Sequence, residues 1–219
     1  MLKADLHIHT KEDPLDYIHH TAEDIIDHAA KSGFDVLSIT LHEKFLFSED
    51  LKKYAEARNI LLIPGVEANI DDCHVVVLNA KAEAESLSSF QDLSRYRHAH
   101  PDSFILAPHP FYPKGKCLRD KLIEHIQLFD AVEYCHFYFR GVNIFNKKAL
   151  AVAKKYDKPV IGTSDCHLLF QFNHTYSLID SEKNVDSVIE ALRQNRVELV
   201  TEPIPVYHGI KFFMTKTRR

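Results

Sequence analysis

Asp5-Leu6-His7-Ile8-His9-Thr10 is the stretch on which the fold of this 219-residue chain turns. Read as a strand over Leu2–His9, it sets Asp5, His7 and His9 on one face and Leu6 and Ile8 on the other. An ordinary half-buried strand turns its apolar set to the core and its polar set to water. Here an amphipathic helical pattern follows at once, which suits a β/α repeat with helices outside and a polar lining within. Two imidazoles and a carboxylate packed together inside a fold are costly unless something neutralises them, and a divalent metal does so. His-x-His alone is a weak signal, so the rest of the chain has to decide.

Outward from that strand, β-like runs alternate with helical patterns. The runs are Phe34–Thr40, Ile60–Val66, His74–Asn79, Ser103–Pro108, Asp130–Cys135 and Lys158–Thr163. Helical spacing occupies Thr21–Ser32, Glu49–Arg58, Lys116–Phe129 and Ile144–Tyr156. Thr21-x-x-Asp24 resembles a capping box, Ser48 opens the next helix, and Gly33 stands where a helix C′ glycine belongs. His174–Asp180, a helix at Val185–Asn195 and Val197–Thr201 read as a trailing βαβ extension. Seven strands in this alternation predict a parallel sheet, either open and doubly wound or closed as a barrel. The expected organisation is one domain over residues 1–214 and a basic tail over 215–219.

The totals exclude several classes. Hydrophobic content of 45% and charged content of 26% are those of a globular chain. A formal charge of −4 speaks against a broad nucleic-acid-binding surface. Cys73, Cys117, Cys135 and Cys166 are scattered, with no Cys-x-x-Cys pair; with no charged-then-apolar leader, the expected compartment is a reducing cytoplasm. No apolar run reaches the length of a membrane span.

Strand after strand ends in a side chain able to bind metal. His7 and His9 close the first, His42 follows the second, and Glu67 follows the third in Gly65-Val66-Glu67. His74 flanks the fourth, His109 follows the fifth in His109-Pro110, and His136 the sixth. The seventh runs into Ser164-Asp165-Cys166-His167. In α/β folds the C-terminal ends of parallel strands converge on one mouth, so residues far apart in sequence are expected to meet there.

This set resembles the PHP (polymerase and histidinol phosphatase) family of metal-dependent phosphoesterases. The matching pieces run through Asp5–Thr10, Ile39-Thr40-Leu41-His42, Gly65-Val66-Glu67, His74, His109-Pro110 and Ser164-Asp165-Cys166-His167. The resemblance implies an α/β fold, a distorted seven-stranded β/α barrel of TIM-like kind, with two or three metals at its mouth. It implies one metal held by His7, His9, Glu67 and Asp165, and a second sharing Glu67 and taking His109 and His74. A third would take His42 and His167 with a group from the loop after the first strand. The sequence departs from the family pattern at Thr40-Leu41-His42, where a neighbouring carboxylate is lost. It departs again in the loop Lys11-Glu12-Asp13-Pro14-Leu15-Asp16, where Asp13 is the first choice of acid and Glu12 the second.

Nitrogen and carboxylate ligands without thiolate suit Zn, Mn or Fe. The expected reaction is hydrolysis of a phosphate monoester or small nucleotide by a metal-activated water, with Glu67, His109 and Asp165 at its centre. His136 reads as an extra ligand or general acid, and equally well as structural. Arg140 and Lys44 are the candidate cations for the outer phosphate oxygens. No Gly-x-Ser-x-Gly elbow or Gly-rich phosphate loop supports another hydrolase. The alternatives are a nuclease or phosphodiesterase of the same fold, and a non-catalytic binding or assembly subunit.

Overall fold

The computed structural model describes residues 1–113 and 115–205; Thr215–Arg219 and His208 lie outside the described residues. Two five-stranded sheets form the framework. The first holds β1 (Leu2–Ile8), β2 (Val36–Ile39), β3 (Leu61–Leu62), β9 (Thr175–Ile179) and β10 (Val197–Thr201), in the order β10-β9-β1-β2-β3. The second holds β4 (Gly65–Ile70), β5 (Cys73–Leu78), β6 (Phe104–Ala107), β7 (Ala131–Cys135) and β8 (Val160–Thr163), in that order. Both are mixed. β9 runs antiparallel to β1 and β10, and β5 runs antiparallel to β4 and β6.

The seven-stranded β/α barrel expected from the resemblance is therefore not what the chain forms, and neither is an all-parallel sheet. Two local features account for the difference. The run Ile60–Val66 breaks at Pro64, which has no N–H for a ladder, so β3 ends the first sheet and β4 starts the second. β4 and β5 are then joined by Asp71-Asp72 alone, at φ 47° and 61°, the left-handed pair of a tight hairpin turn. A parallel crossover would need a dozen or more residues there.

Among the described residues, six α-helices cover the sheets: α1 (Ala22–Lys31), α2 (Glu49–Glu56), α3 (Phe90–Ala99), α4 (Asp120–Glu124), α5 (Ile144–Lys155) and α6 (Val185–Arg193). Thr21 caps α1 through the expected box: its hydroxyl accepts from Asp24 N at 3.1 Å while the Asp24 carboxylate accepts from Thr21 N at 2.9 Å. Gly33 follows at φ 72°, a C′ glycine as expected. The helix expected over Lys116–Phe129 is shorter, α4 followed by a 3-10 turn at Ile126–Leu128. No helix among the described residues is long and apolar enough to cross a membrane.

Three apolar clusters hold the layers. Leu37, Ile39 and Leu62 pack with Ile25, Ile26 and Ala55 of α1 and α2. Val75, Val77, Ile105 and Ala107 pack with Leu93, Leu122 and Ala149 of α3, α4 and α5. Their strand neighbours Val76, Leu78, Phe104 and Leu106 join Ala4, Leu6, Val36 and α6 in a third cluster that ties the two sheets together. β5 and β6 are thus apolar on both faces, and their sequences read as continuous hydrophobic runs for that reason.

The sheets meet at two seams. At one, His42 bridges Glu67, with Glu67 N donating to Leu41 O at 3.1 Å and Glu43 N to Glu67 O at 2.9 Å. At the other, Ile8 bridges Cys166, and His9 N donates to Cys166 O at 3.0 Å. Glycine makes the first approach possible: a Cβ on Gly65 would sit 2.2 Å from Ser38 Oγ and 2.7 Å from Thr40 Cγ2.

Candidate metal centre

Both seams fall at strand ends that carry the polar residues. The Ile8–Cys166 bridge lays β1's end beside Asp165 and His167, and the His42–Glu67 bridge lays β2's end beside β4. Strict alternation along β1 does not survive to this point. Its register against β2 shifts between Asp5 and Ile8, so Leu6 packs in the cluster joining the sheets while Ile8 packs against α1. Such an irregularity re-aims the side chains that follow it. His7 and His9 enter the centre, whereas Asp5 turns aside and accepts a hydrogen bond from Ser164 N at 3.0 Å. Burial raises the Asp5 carboxyl to about 7.

Glu67 stands in the middle. Its Oε2 lies 3.4 Å from His7 Nε2, 3.2 Å from His9 Nε2 and 3.1 Å from His42 Nε2. Its Oε1 lies 3.0 Å from His74 Nδ1 and 3.2 Å from His109 Nε2. Five imidazoles thus face one carboxylate whose side chain is wholly buried. Oε2 is nevertheless without a hydrogen-bond partner, because the surrounding nitrogens are close to it but not aimed along hydrogen-bond directions. Asp165 Oδ1 completes the group, 3.3 Å from His9 Nε2 and 3.5 Å from His7 Nε2.

Acids stand behind the rings. Asp13 Oδ2 accepts from His9 Nδ1 and His42 Nδ1, each at 3.0 Å, and from His42 N at 2.9 Å. Although burial opposes it, hydrogen bonds from His42 and His9 hold the Asp13 carboxyl far below the usual range, so it is ionised and only accepts. Each of the two rings therefore carries a proton on Nδ1 and turns Nε2 toward Glu67. Glu133, in the middle of β7, does the same for His7, with Oε1 2.7 Å from Nδ1.

Charge balance in this cluster is tight. Burial pushes the His7 imidazole down, but Glu67, Glu133 and Asp165 outweigh it and lift it to about 10. His9 is also driven well above the ordinary imidazole value by Asp13, Asp165 and Glu67, and His109 by contacts with Cys117 and Glu67, both against burial. Glu67 and Asp165 lie well below the usual carboxylate range despite burial, held there by the imidazoles. Burial wins at His74, whose pKa falls.

Among the described residues, four sets of three side chains bring ligand atoms within 4.8 Å of one another: His7/His9/Asp165, His7/Glu67/His109, His42/Glu67/His74 and His9/His42/His167. The six histidines that the resemblance assigns to metals, together with Glu67 and Asp165, each fall in one of them. A divalent cation fits the donor set, since bringing so many imidazole nitrogens and an orphaned carboxylate oxygen together in a buried site otherwise leaves them uncompensated.

The other expected residues are placed differently. Asp13 backs two rings and belongs to no set, while Glu12 accepts from the Thr10 hydroxyl at 2.5 Å. Lys44 is half-buried next to His42, its Nζ donating to Glu12 O at 2.7 Å, and Arg140 is exposed in the loop after β7. His136 is buried and belongs to no set; its Nε2 lies 3.0 Å from Gln171 Nε2, and burial lowers it to about 4. Two acids were not singled out from the sequence. Asp16 Oδ2 lies 3.0 Å from His167 Nε2, and its signal was its place in the acidic loop. Glu133 had a signal too, a charge in the middle of the apolar run Ala131–Cys135.

Residues 143–197 match a family model described as PHP-associated. An uncharacterized protein of Methanocaldococcus jannaschii is 28% identical over 158 residues, which is 68% of this chain and 90% of that relative. A two-domain protein of Bacteroides vulgatus, described as containing a predicted PHP-like metal-dependent phosphoesterase, has a similar fold, with TM-score 0.73 at 18% identity. That match covers 92% of this chain but only 65% of the two-domain protein. An amidohydrolase of Chromobacterium violaceum, solved with sulfate and no metal, is similar at TM-score 0.58 and 16% identity, over 89% of this chain and 97% of the other.

Proposed function

We propose that this chain is a metal-dependent phosphoesterase of the PHP family that hydrolyses a small phosphate monoester. The observation that carries the reading is the setting of Glu67, one buried carboxylate faced by His7, His9 and His42 on one oxygen and by His74 and His109 on the other.

In this reading His7, His9, Glu67 and Asp165 hold one divalent ion, and Glu67, His74 and His109 a second. His42 and His167 serve a third, with Asp16 the acid beside His167. Divalent ions bound there supply Lewis-acid chemistry, acidifying water near neutral pH and neutralising phosphoryl oxygens. Asp13 keeps the protons of His9 and His42 on the far side of their rings, so the near nitrogens present lone pairs. His7, His9 and Glu67 have no exposed side-chain surface, whereas Asp165, His167, His74 and His109 are 19%, 17%, 15% and 13% exposed. The phosphoryl group therefore enters over that second set. Lys44 and Arg140 are the cations assigned to the outer oxygens.

The test is a comparison of p-nitrophenyl phosphate with bis(p-nitrophenyl) phosphate, with and without chelator. The expected result is chelator-sensitive hydrolysis that favours the monoester. Preference for the diester would move the assignment to a phosphodiesterase, and inactivity toward both with Zn, Mn or Fe supplied would favour a binding role.

A further inference from the structure

Glu133 is fully buried on β7, belongs to none of the four metal-capable sets, and yet touches two of their members. Its Oε1 lies 2.7 Å from His7 Nδ1 and 2.5 Å from Thr163 Oγ1, and its Oε2 accepts from His109 N at 2.5 Å. We propose that Glu133 is the positioning residue of the centre, fixing His7 and His109 through one carboxylate so that both present Nε2 to Glu67. The proposal rests on the metal reading above and adds a role for a residue outside the ligand set.

The two contacts act differently. At His7 the carboxylate fixes a proton: with Nδ1 donating to Oε1, the nitrogen that gives up its proton to bind a metal is Nε2, which faces Glu67, Asp165 and His9. At His109 it fixes the backbone. His109 has φ 29°, a left-handed conformation that non-glycine residues seldom adopt, and its N–H is anchored by Oε2. Thr163 donates its hydroxyl to Oε1 from β8, so the carboxylate is held from β1, β6's end and β8 at once.

An amide cannot satisfy this arrangement. If the oxygen of a glutamine turns to His109 N–H, its NH2 faces His7 Nδ1, which must then accept, and the ring proton moves to Nε2. If the oxygen turns to His7, the NH2 meets the His109 N–H and two donors oppose each other. Either choice impairs one ligand, while the shape of the side chain is unchanged.

Zinc titration by competition with a chromophoric chelator, on wild type and Glu133→Gln, is the test. The variant should bind zinc roughly 10–100-fold more weakly. Equal zinc affinity in a folded variant overturns the proposal. Wild type that takes up no zinc overturns the metal reading and this proposal with it, so the two failures are distinguishable. A second measurement needs no variant. In zinc-loaded wild type with 15N-labelled histidine, His7 should show a hydrogen-bonded proton on Nδ1 and none on Nε2, a readout that a purely packing role would not set. A proton on Nε2 overturns the assignment.

Discussion

Asp13 Oδ2 accepts from His42 Nδ1 at 3.0 Å, behind a ring whose other nitrogen stands 3.1 Å from Glu67 Oε2. The same oxygen accepts from His9 Nδ1, so one carboxylate orients two rings of the centre. Asp13→Asn offers one oxygen and one NH2 where several donors converge. It should weaken zinc binding about 10–100-fold, read by chelator competition. Unchanged affinity would show that the rings hold their orientation without it.

Metal binding must release protons. At neutral pH the metal-free protein keeps His7 protonated, with its pKa near 10, and His9 and His109 likewise lie well above the ordinary value. Zinc affinity should therefore rise from pH 6 to 9, with proton release visible as buffer-dependent heat in calorimetry. The sign for folding is opposite. A raised imidazole contributes stability that is whole below its unfolded value of 6.5 and is lost as pH climbs toward about 10. The melting temperature of chelated protein should fall over that window, and loading with zinc should flatten the slope. A chelated protein that gains stability there would contradict the charge assignment.

Gly65 is where β4 passes close to β2. In Gly65→Ala the added methyl would lie 2.2 Å from Ser38 Oγ, so the seam must open. We expect a loss of about 1–3 kcal/mol in denaturant unfolding, and weaker metal retention, because Glu67 is two residues on. Wild-type stability would mean that the seam is softer than its packing implies.

Arg140 and Lys44 are assigned to the outer phosphate oxygens, away from the metals. Arg140→Ala should raise KM for p-nitrophenyl phosphate about tenfold or more, the cost of one charge-assisted hydrogen bond, with metal content unchanged. A loss of metal without a change in KM would reverse the assignment.

The clustered side chains were legible because their types and places are both unusual: His7, His9, His42, His109 and His167 each follow or close a β-like run, as do Glu67 and Asp165. The caps at Thr21 and Gly33 were legible for a similar reason, since their signals are local. What escaped depends on partners distant in sequence. The register shift in β1 arises from pairing with β2, so no feature within Asp5–Ile8 announces that the Asp5 carboxylate pairs with Ser164 N just past β8. The Asp71-Asp72 hairpin and the break at Pro64 had local signals, yet the β/α alternation outweighed them and the sheet was read as parallel. α3 was missed although Ser89 and Asp92 offer a cap, because its apolar residues are few. Glu133 looked like one polar residue in a strand; its three partners come from β1, β8 and the loop after β6.

The central claim is that Glu67 organises a buried cluster of cations, and metal analysis of purified wild type beside Glu67→Ala tests it most directly. Wild type should carry about two or three divalent ions per chain. The variant should lose most of them and all hydrolysis of p-nitrophenyl phosphate, while its circular dichroism stays that of the folded protein. A folded Glu67→Ala protein that keeps the wild-type metal content and hydrolyses the ester would contradict it.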